Sequence, residues 1–323
     1  MRPFWKDLLL AAILGLVLPW LLLHLILYFR EEKGITDTPE MNHTQIQPQE
    51  YAVCMTMYLR GEDGTVKPMD MDTYLTGVIL AELPASFELE AKKAQAVAAR
   101  TFAWKAVTTG GKHGDGSVCT DSRCCQAYIT PEKYTGTEDA IREAAMAVQA
   151  TSGYVLTYED ELIEATYFSC SGGSTEEAVA VWGMALPYLQ AKESPGEENA
   201  THYRDTVVYS QEEFCRRLEI SPDLTPEGWF GLTTYTAGGG VAAMEICGRV
   251  YQGTELRKLL NLKSTAFTVA VEDEQIIVTT KGYGHRVGMS QYGADAMAVG
   301  GSTYREILMY YYEGAELTFL AEN

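Results

Sequence analysis

The first 50 residues differ sharply in polarity from the rest of the chain. An almost unbroken apolar run of 21 residues extends from Leu8 to Tyr28. As a helix it is long enough to cross the roughly 30 Å hydrocarbon core of a bilayer. A cleaved signal peptide would have an apolar core of only about 7–15 residues followed by small residues, whereas FREEKG follows here. We therefore predict a retained anchor, with a buried hairpin of a larger core as the alternative.

The segments that flank this run complete the expected organisation of the chain. Residues 31–50 are polar, contain two prolines and show no periodicity, which is typical of a flexible tether. The cations on the two sides are equal in number, so the positive-inside rule does not decide orientation, and the short N-terminal tail favours an inside amino terminus. We predict a cytoplasmic tail (1–7), a transmembrane anchor (8–28), a flexible linker (29–50) and an extracytoplasmic catalytic domain (51–323). The protein would then be a single-pass protein of the cell membrane.

Helical and strand periodicities are mixed in residues 51–323 without a strict βαβ alternation, which predicts an α+β fold with antiparallel strands. A residue with N-cap chemistry, Ser86, precedes the longest helical segment. Helices are predicted at Asp72–Leu83, Phe87–Val107, Thr137–Thr151, Gly253–Leu260, Ser290–Val299 and Thr303–Tyr310. Strands are predicted at Ala52–Leu59, Tyr154–Tyr158, Leu162–Ser169, Thr233–Tyr235, Ala242–Cys247, Phe267–Val271 and Gln275–Thr279, with a strand and helix over Tyr203–Leu218.

The charge balance excludes one class of partner. The chain has 44 Asp and Glu against 25 Lys and Arg, a net charge of −19. Such a protein repels phosphate backbones and gains nothing from counterion release, so nucleic-acid binding is not expected. Sugars, peptides or protein partners fit better, and any anionic polymer must be held by local cations.

Glu82 is the first residue with candidate chemistry. It ends the amphipathic segment YLTGVILAEL, where apolar neighbours would raise the pKa of its carboxyl group toward that of a general acid. The alternative is a helix-end glutamate that caps the helix or pairs with Lys92 or Arg100. Arg100, on the alanine-rich helix that follows, is a candidate for holding a substrate oxyanion or for a simple salt bridge.

The segment GYGHRVGMSQYGADA contains four glycines between Gly282 and Gly293. Glycines at this density let the backbone approach a ligand closely. The polar side chains between them are of types that bind sugars: His285, Ser290, Gln291 and Tyr292. The segment SCSGG at 169–173 is similar in kind, since it exposes small polar groups after a strand.

Three blocks together resemble a known family. YLTGVILAELPASFELEAKKAQAVAARTFAW, YFSCSGGSTEEAVAVWGMALPYLQ and GYGHRVGMSQYGADAMA, between residues 74 and 298, closely resemble the stage II sporulation protein D family of membrane-anchored lytic transglycosylases. One departure is Arg286, where the family usually has glycine.

The resemblance implies cleavage of the β-1,4 bond between N-acetylmuramic acid and N-acetylglucosamine in peptidoglycan strands stripped of their peptides. It makes Glu82 the general acid and base and implies 1,6-anhydro-muramyl ends. From the hydrogen-bonding groups of the glycine-rich segment, we expect the glycan groove on the side facing Glu82, with Arg100 nearby, to be lined by His285, Ser290, Gln291 and Tyr292. It also implies work beside a peptidoglycan amidase and a polytopic membrane protein during engulfment of the forespore.

The cysteines suggest a metal. The chain has seven, an odd number, and three of them lie with His113 in KHGDGSVCTDSRCCQAY. The spacing His113-x5-Cys119-x5-Cys125 suits one structural zinc ion per chain, an assignment that similar cysteines in some family members support. Cys124 is expected to stay outside, because consecutive side chains of an extended backbone point to different sides. A disulfide from Cys119 to Cys124 or Cys125 is the alternative.

Two other classes of function compete with the glycan-cleaving enzyme. A thiol or serine hydrolase would use Cys170 or Ser171 with His285, although the usual hydrolase motifs are not found in the chain. A non-catalytic glycan-binding module would use the glycine-rich segment as a sugar platform. Such a module would be indifferent to Glu82→Gln, whereas an enzyme would bind substrate without cutting it.

Overall fold

The computed structural model describes residues 55–221, 223 and 225–320. The predicted tail, anchor and linker, residues 1–50, lie outside this part of the chain. Within the described part, no helix has both the length and the apolar character needed to cross a bilayer.

The predicted α+β class is confirmed. The helices of the described residues are α1 Met71–Glu82, α2 Leu89–Thr109, α3 Glu138–Gln149, α4 Ala178–Trp182, α5 Gln211–Leu218, α6 Gly253–Leu259, α7 Gln291–Val299 and α8 Tyr304–Tyr311. The strands are β1 Thr56–Arg60, β2 Val66–Asp70, β3 Ser117–Cys119, β4 Tyr154–Tyr158, β5 Glu161–Leu162, β6 Tyr167–Phe168, β7 Arg204–Ser210, β8 Phe230–Tyr235, β9 Val241–Ile246, β10 Arg249–Gln252, β11 Phe267–Glu272, β12 Gln275–Lys281, β13 Met289–Ser290 and β14 Glu316–Phe319.

The strands form five small sheets, in the orders β2-β1-β3, β14-β4-β5, β6-β13, β10-β9-β8 and β11-β12-β7. Neighbouring strands are antiparallel except in the pairs β1–β3 and β6–β13. The parallel pair β6–β13 aligns Phe168 with Ser290, which brings the residues just before SCSGG against the glycine-rich segment.

Helix α2 is buried on two sides because alanines cover both. Ala96, Ala99 and Ala103 belong to a hydrophobic cluster with α1 and α3. Ala94 and Ala98 belong to a second cluster with β4, α7 and α8. Small side chains let the helices pack closely on both sides, so α2 is the common support of the elements that carry Glu82 and Gln291.

Residues 204–281 form a second lobe with its own hydrophobic cluster, made by β7–β12, α5 and α6. Outside this lobe, Arg286 Nη1 and Glu176 Oε1 form a buried ion pair of 3.1 Å. Glu176 Oε1 also accepts from the N–H of Gly240 at 2.9 Å, which links the pair to the lobe. The Arg286 guanidinium also donates to the carbonyl oxygen of Gly238 in the β8–β9 turn. Arg286 has φ 64°, a left-handed conformation that glycine adopts most easily, which accounts for the glycine expected at this position.

Two local predictions were wrong. Ser86 does not cap α2, which begins at Leu89. Phe87 is instead held in a turn to Pro84, and the free N–H of Glu88 donates to Asp295 Oδ1 at 2.7 Å. The predicted strand 162–169 is divided into β5 and β6, because β6 pairs with β13 and not with the hairpin.

Candidate active site and metal centre

Glu82 is the last residue of α1, which ends because Pro84 follows two residues later and cannot donate a backbone hydrogen bond. Both oxygens of its carboxylate are bonded. Oε1 accepts from the backbone N–H of Ala127 at 2.8 Å, and Oε2 accepts from Gln291 Nε2 at 3.2 Å. Burial raises the pKa of Glu82, and these two bonds oppose the rise without cancelling it. No charged side chain of the described residues contributes to this shift.

A chain of buried polar groups lies beside this carboxyl group. The Tyr74 hydroxyl donates to Gln126 Oε1 at 2.9 Å, and Gln126 Nε2 donates to the Tyr167 hydroxyl at 2.8 Å. Burial raises the pKa of both tyrosines, and the charge of Glu82 adds to the rise. The hydroxyls therefore stay neutral, so they can position Glu82 or a substrate by hydrogen bonding without themselves carrying charge.

The glycine-rich segment contributes residues of different kinds. Gln291 is the first residue of α7 and contacts Glu82 directly. Ser290 is fully buried and caps α7, since its hydroxyl accepts from the N–H of Gly293. Tyr292 packs edge-to-face on Phe87, with ring centroids 4.9 Å apart. Only Gln291 of these three is hydrogen-bonded to the candidate acid.

His285 lies beside the same segment. Its Nδ1 accepts from the N–H of Val287, and its ring packs against Phe168 and Trp182 at centroid distances of 5.6 and 5.4 Å. Burial, aided by the positive charge of Arg257, lowers the pKa of His285 to about 4. The imidazole is therefore neutral at pH 7, and it can donate or accept a hydrogen bond but cannot supply a positive charge.

The Arg100 side chain is buried and bonded to the protein's own backbone. Its side chain is 0% exposed, and its guanidinium donates to the carbonyl oxygens of Thr151, Val148 and Tyr154 at 2.7, 3.1 and 3.3 Å. These are carbonyls at and just after the end of α3, which have no partner within the helix. Arg100 therefore holds the end of α3, and we omit it from the substrate-binding set proposed below.

The residues of the alternative hydrolase are not arranged as a catalytic pair. Cys170 and Ser171 are both fully buried, and both donate to the carboxylate of Glu197, at 3.1 and 2.9 Å. Burial raises the pKa of the Cys170 thiol to about 12. Neither residue is hydrogen-bonded to His285 in the described part of the chain, so neither is activated as a nucleophile.

A cluster of four metal-binding groups precedes Ala127, the residue whose N–H donates to Glu82. The ligand atoms of His113, Cys119, Cys124 and Cys125 are all within 4.8 Å of one another. His113 Nε2 is 3.5 Å from Cys125 Sγ and 3.8 Å from Cys124 Sγ. Tetrahedral zinc with Zn–S bonds of about 2.3 Å separates two sulfurs by about 3.8 Å. The donor set and its spacing therefore fit a four-coordinate structural site.

The premise for excluding Cys124, an extended backbone, does not hold here. The N–H groups of Cys124 and Cys125 both donate to the carbonyl oxygen of Asp121, at 2.9 and 2.8 Å. This turn brings the two sulfurs 3.9 Å apart on the same side. None of the cysteines in the described residues is bonded to another, so the disulfide alternative is not the arrangement found.

The cysteine turn leads directly to the candidate acid. Gln126 and Ala127 follow Cys125 without a break, and they bond to Tyr74 and Glu82 respectively. Sequence patterns did not single out Gln126, Ala127 or Tyr167. The only sequence signal for a role in the site was their position: Gln126 and Ala127 follow a cysteine pair, and Tyr167 lies just before SCSGG. No hydrophobic periodicity marks such residues.

Comparisons with known proteins agree with this geometry. Residues 60–158 match the family model described as stage II sporulation protein. The chain is 36% identical over 266 residues to stage II sporulation protein D of Bacillus subtilis, covering 80% of this chain and 77% of that protein. It is 34% identical over 313 residues to the protein of that name from Bacillus amyloliquefaciens, covering 91% and 90%.

A more distant relative is the amidase enhancer of Bacillus subtilis, 30% identical over 303 residues, which cover 76% of this chain and 40% of that protein. The residues that the family model matches include α1 and the cysteine turn. On these similarities, the chain belongs to the stage II sporulation protein D family.

Proposed function

We propose that this protein is a lytic transglycosylase that cleaves the β-1,4 bond between N-acetylmuramic acid and N-acetylglucosamine in peptidoglycan. The observation that carries the proposal is the partly buried carboxyl group of Glu82, whose pKa is raised by burial and whose two oxygens are held by Ala127 and Gln291. A carboxyl group with a raised pKa stays protonated closer to neutral pH, as a general acid requires.

In this mechanism Glu82 serves twice. Its protonated carboxyl group donates the proton to the glycosidic oxygen as the C1–O bond of muramic acid breaks, and N-acetylglucosamine leaves as an alcohol. The resulting carboxylate then takes the proton of the C6 hydroxyl group as O6 bonds to C1, which closes a 1,6-anhydro ring and restores the acid. Glycosidases that use water usually need two carboxyl groups. No second carboxylate among the described residues is bonded to Glu82 or shifts its pKa.

Gln291, Tyr292 and His285 are proposed to bind the sugar on the Glu82 side. We further propose that His113, Cys119, Cys124 and Cys125 hold one zinc ion. Four protein ligands leave no open coordination position, so the ion would order the turn that carries Ala127 and would supply no reaction chemistry.

The biological setting is also a proposal. Two relatives are named for stage II of sporulation and one for amidase enhancement. We propose that this protein acts during sporulation on strands from which an amidase has removed the peptides, from the outer face of the membrane to which residues 8–28 anchor it.

The test is the identity of the product ends. Purified protein is incubated with amidase-treated glycan strands, and the products are analysed by mass spectrometry. We expect 1,6-anhydro-muramyl ends, which are lighter by one water molecule than reducing ends. Reducing ends alone would identify a hydrolase, and binding without any new ends would identify a non-catalytic glycan-binding module.

A further inference from the structure

Gln95 lies in the amino-terminal half of α2 and its side chain is 0% exposed. Neither polar atom of its side chain, Oε1 or Nε2, has a hydrogen-bond partner among the described residues. A side-chain amide offers two N–H donors and one carbonyl acceptor, and a buried amide that leaves them unused destabilises the folded protein. Enclosed water molecules commonly satisfy such groups, and a group of this kind calls for a specific explanation.

The neighbours of Gln95 on α2 show which side of the helix carries this amide. Ala91, four residues earlier, belongs to the cluster that contains α7 and α8. Ala99, four residues later, belongs to the cluster that contains α1. Residues four apart lie on one side of a helix, so Gln95 lies at a boundary between the two clusters. Arg100 is about 140° further round the helix axis and bonds to the end of α3, on a different side.

This boundary supports one of the two groups that hold Glu82. Tyr167 packs against both clusters. The carbonyl oxygen of Ala99 accepts from Gln126 Nε2 at 3.4 Å, and the same amide donates to the Tyr167 hydroxyl. Gln126 is followed directly by Ala127, whose N–H donates to Glu82. The stretch of chain that supplies this donor therefore packs on the Gln95 side of α2.

The second donor to Glu82 comes from an element packed at the start of α2. The N–H of Glu88, seven residues before Gln95, donates to Asp295 of α7. Helix α7 begins at Gln291, whose amide donates to Glu82. Long side chains on a helix lean toward its amino terminus, so the Gln95 amide leans toward this end. Gln95 thus lies beneath the two elements that hold the candidate acid.

We propose that the Gln95 amide binds an enclosed water molecule at the base of the Glu82 site, and that this water keeps the groups around the acid in place. The inference rests on the proposed function, because it takes Glu82 as the acid. Gln95 is a positioning residue, since it acts through the groups that bond to Glu82 and touches neither the sugar nor the transferred proton. This role explains a polar side chain where an apolar one of similar size would stabilise the fold.

The water molecule can be sought without measuring activity. A crystal structure of the full-length protein, at a resolution that shows ordered water, should contain a water within about 3.2 Å of the Gln95 amide. We expect the same water to contact Gln126, Tyr167 or Gln291. A Gln95 amide that bonds only to protein atoms would overturn the inference.

Gln95→Met tests the positioning role, because it removes the amide and nearly keeps the volume. We expect kcat for 1,6-anhydro end formation to fall about 10- to 100-fold, as when reacting groups are displaced by about 1 Å. Tm should stay unchanged or rise by about 2–4 °C, since a buried polar group is lost. Strand binding, measured with Glu82→Gln also present, should change less than about 2-fold, because no substrate contact is removed. Wild-type kcat would show that the amide positions nothing.

Thr101→Val is the matched control, because Thr101 is also fully buried on α2 but has hydrogen-bond partners. Its hydroxyl donates to the carbonyl oxygen of Val97 at 2.8 Å and accepts from the N–H of Leu156 at 2.9 Å. We expect this variant to lower Tm by about 2–4 °C and to leave kcat unchanged. An equal fall in kcat for Thr101→Val and Gln95→Met would mean that any loosening of α2 slows the reaction, and the positioning role would be wrong.

Gln95→Asn decides the matter if Gln95→Met does not fold. Asparagine is smaller, so it fits the same space, and it keeps the amide but withdraws it by one carbon atom. We expect a folded protein whose kcat is about 3- to 10-fold lower, because the water is held in a shifted position. A Gln95→Asn variant with wild-type kcat would count against the positioning role.

The proposed function and this inference can fail separately. If the wild-type protein makes 1,6-anhydro ends and Gln95→Met makes them equally fast, the positioning role is wrong and the enzyme stands. If the wild type cuts no strand although the water is present, the proposed function and the positioning role both fail, while the water site stands. If the water is also absent, nothing of either proposal remains.

Discussion

Glu82 accepts a 2.8 Å hydrogen bond from the backbone N–H of Ala127, two residues beyond the cysteine pair. The candidate acid and the candidate metal centre therefore share one stretch of backbone. The backbone donor fixes the orientation of the carboxylate without introducing a charge. It lowers the pKa of Glu82, but burial has the larger effect and keeps that pKa above its usual value.

Glu82→Gln tests the candidate acid directly. We expect glycan cleavage to fall by at least the 10²- to 10⁴-fold typical of a lost general acid, because glutamine has no proton to donate at this position. Binding of strands should change little, since the amide has nearly the same shape. The measurement is the rate of 1,6-anhydro end formation. Glu62→Gln, at an exposed position in the β1–β2 turn, is the control, and a Glu82→Gln variant of wild-type rate would rule out the proposed role.

Gln291→Met tests how the carboxyl group is tuned. The amide of Gln291 donates to Glu82 and lowers the pKa of that residue, in opposition to burial. Its removal should raise the pKa of Glu82 further, so the protonated acid persists to higher pH and the alkaline limb of the kcat/KM profile moves upward. Gln149→Met, on the exposed end of α3, should leave the profile unchanged. If the alkaline limb of the Gln291→Met profile stayed in place or moved to lower pH, Glu82 would not be the group whose pKa Gln291 lowers.

The four-ligand metal site predicts equal effects for Cys124 and Cys125. We expect one zinc per chain by metal analysis of protein purified under reducing conditions, and loss of most of it in Cys119→Ser, Cys124→Ser and Cys125→Ser. A chelator should lower Tm by roughly 10 °C, since a ligand at a thousand times its Kd stabilises by about 4 kcal/mol. Cys247→Ser, an exposed cysteine outside the cluster, is the control. If Cys124→Ser kept its full metal content, the metal would be held by three protein ligands, His113, Cys119 and Cys125, and Cys124 would not be a ligand.

Arg100→Met tests the structural role of that arginine. The variant removes the buried hydrogen bonds from Arg100 to three carbonyl oxygens and its 3.4 Å ion pair with Asp72. Each such bond contributes about 1 kcal/mol, so we expect the free energy of unfolding to fall by about 2–4 kcal/mol. Chemical denaturation measures this fall. Arg142→Met, an exposed arginine on α3, should change it by less than about 0.5 kcal/mol. If Arg100→Met folded as stably as wild type but bound strands poorly, the sequence-based role in substrate binding would be right.

Regular periodicity explains which parts of the fold were predictable. Helices α1, α2 and α3 were found within a few residues of their ends, because their apolar positions repeat at helical spacing. Strands β3, β6 and β13 have two or three residues each, too few to show a period. Their pairing depends on distant partners, so sequence alone could not place them.

The same limit applies to the candidate site. Glu82 could be singled out because a helix of mainly apolar, buried residues ends there, and Gln291 because glycines surround it. Gln126 and Ala127 act through a turn whose shape depends on the Asp121 carbonyl oxygen. That turn also removes the premise for excluding Cys124, since nothing in the spacing of the cysteines reveals the backbone conformation between them.

The alanines on both sides of α2 also affect how the protein unfolds. Because one helix completes two hydrophobic clusters, neither cluster can lose its packing while the other keeps it. We expect the two to exchange their buried amide hydrogens in a single cooperative event. The cluster of residues 204–281 does not share that helix, which leaves it free to open as a separate unit at lower energy.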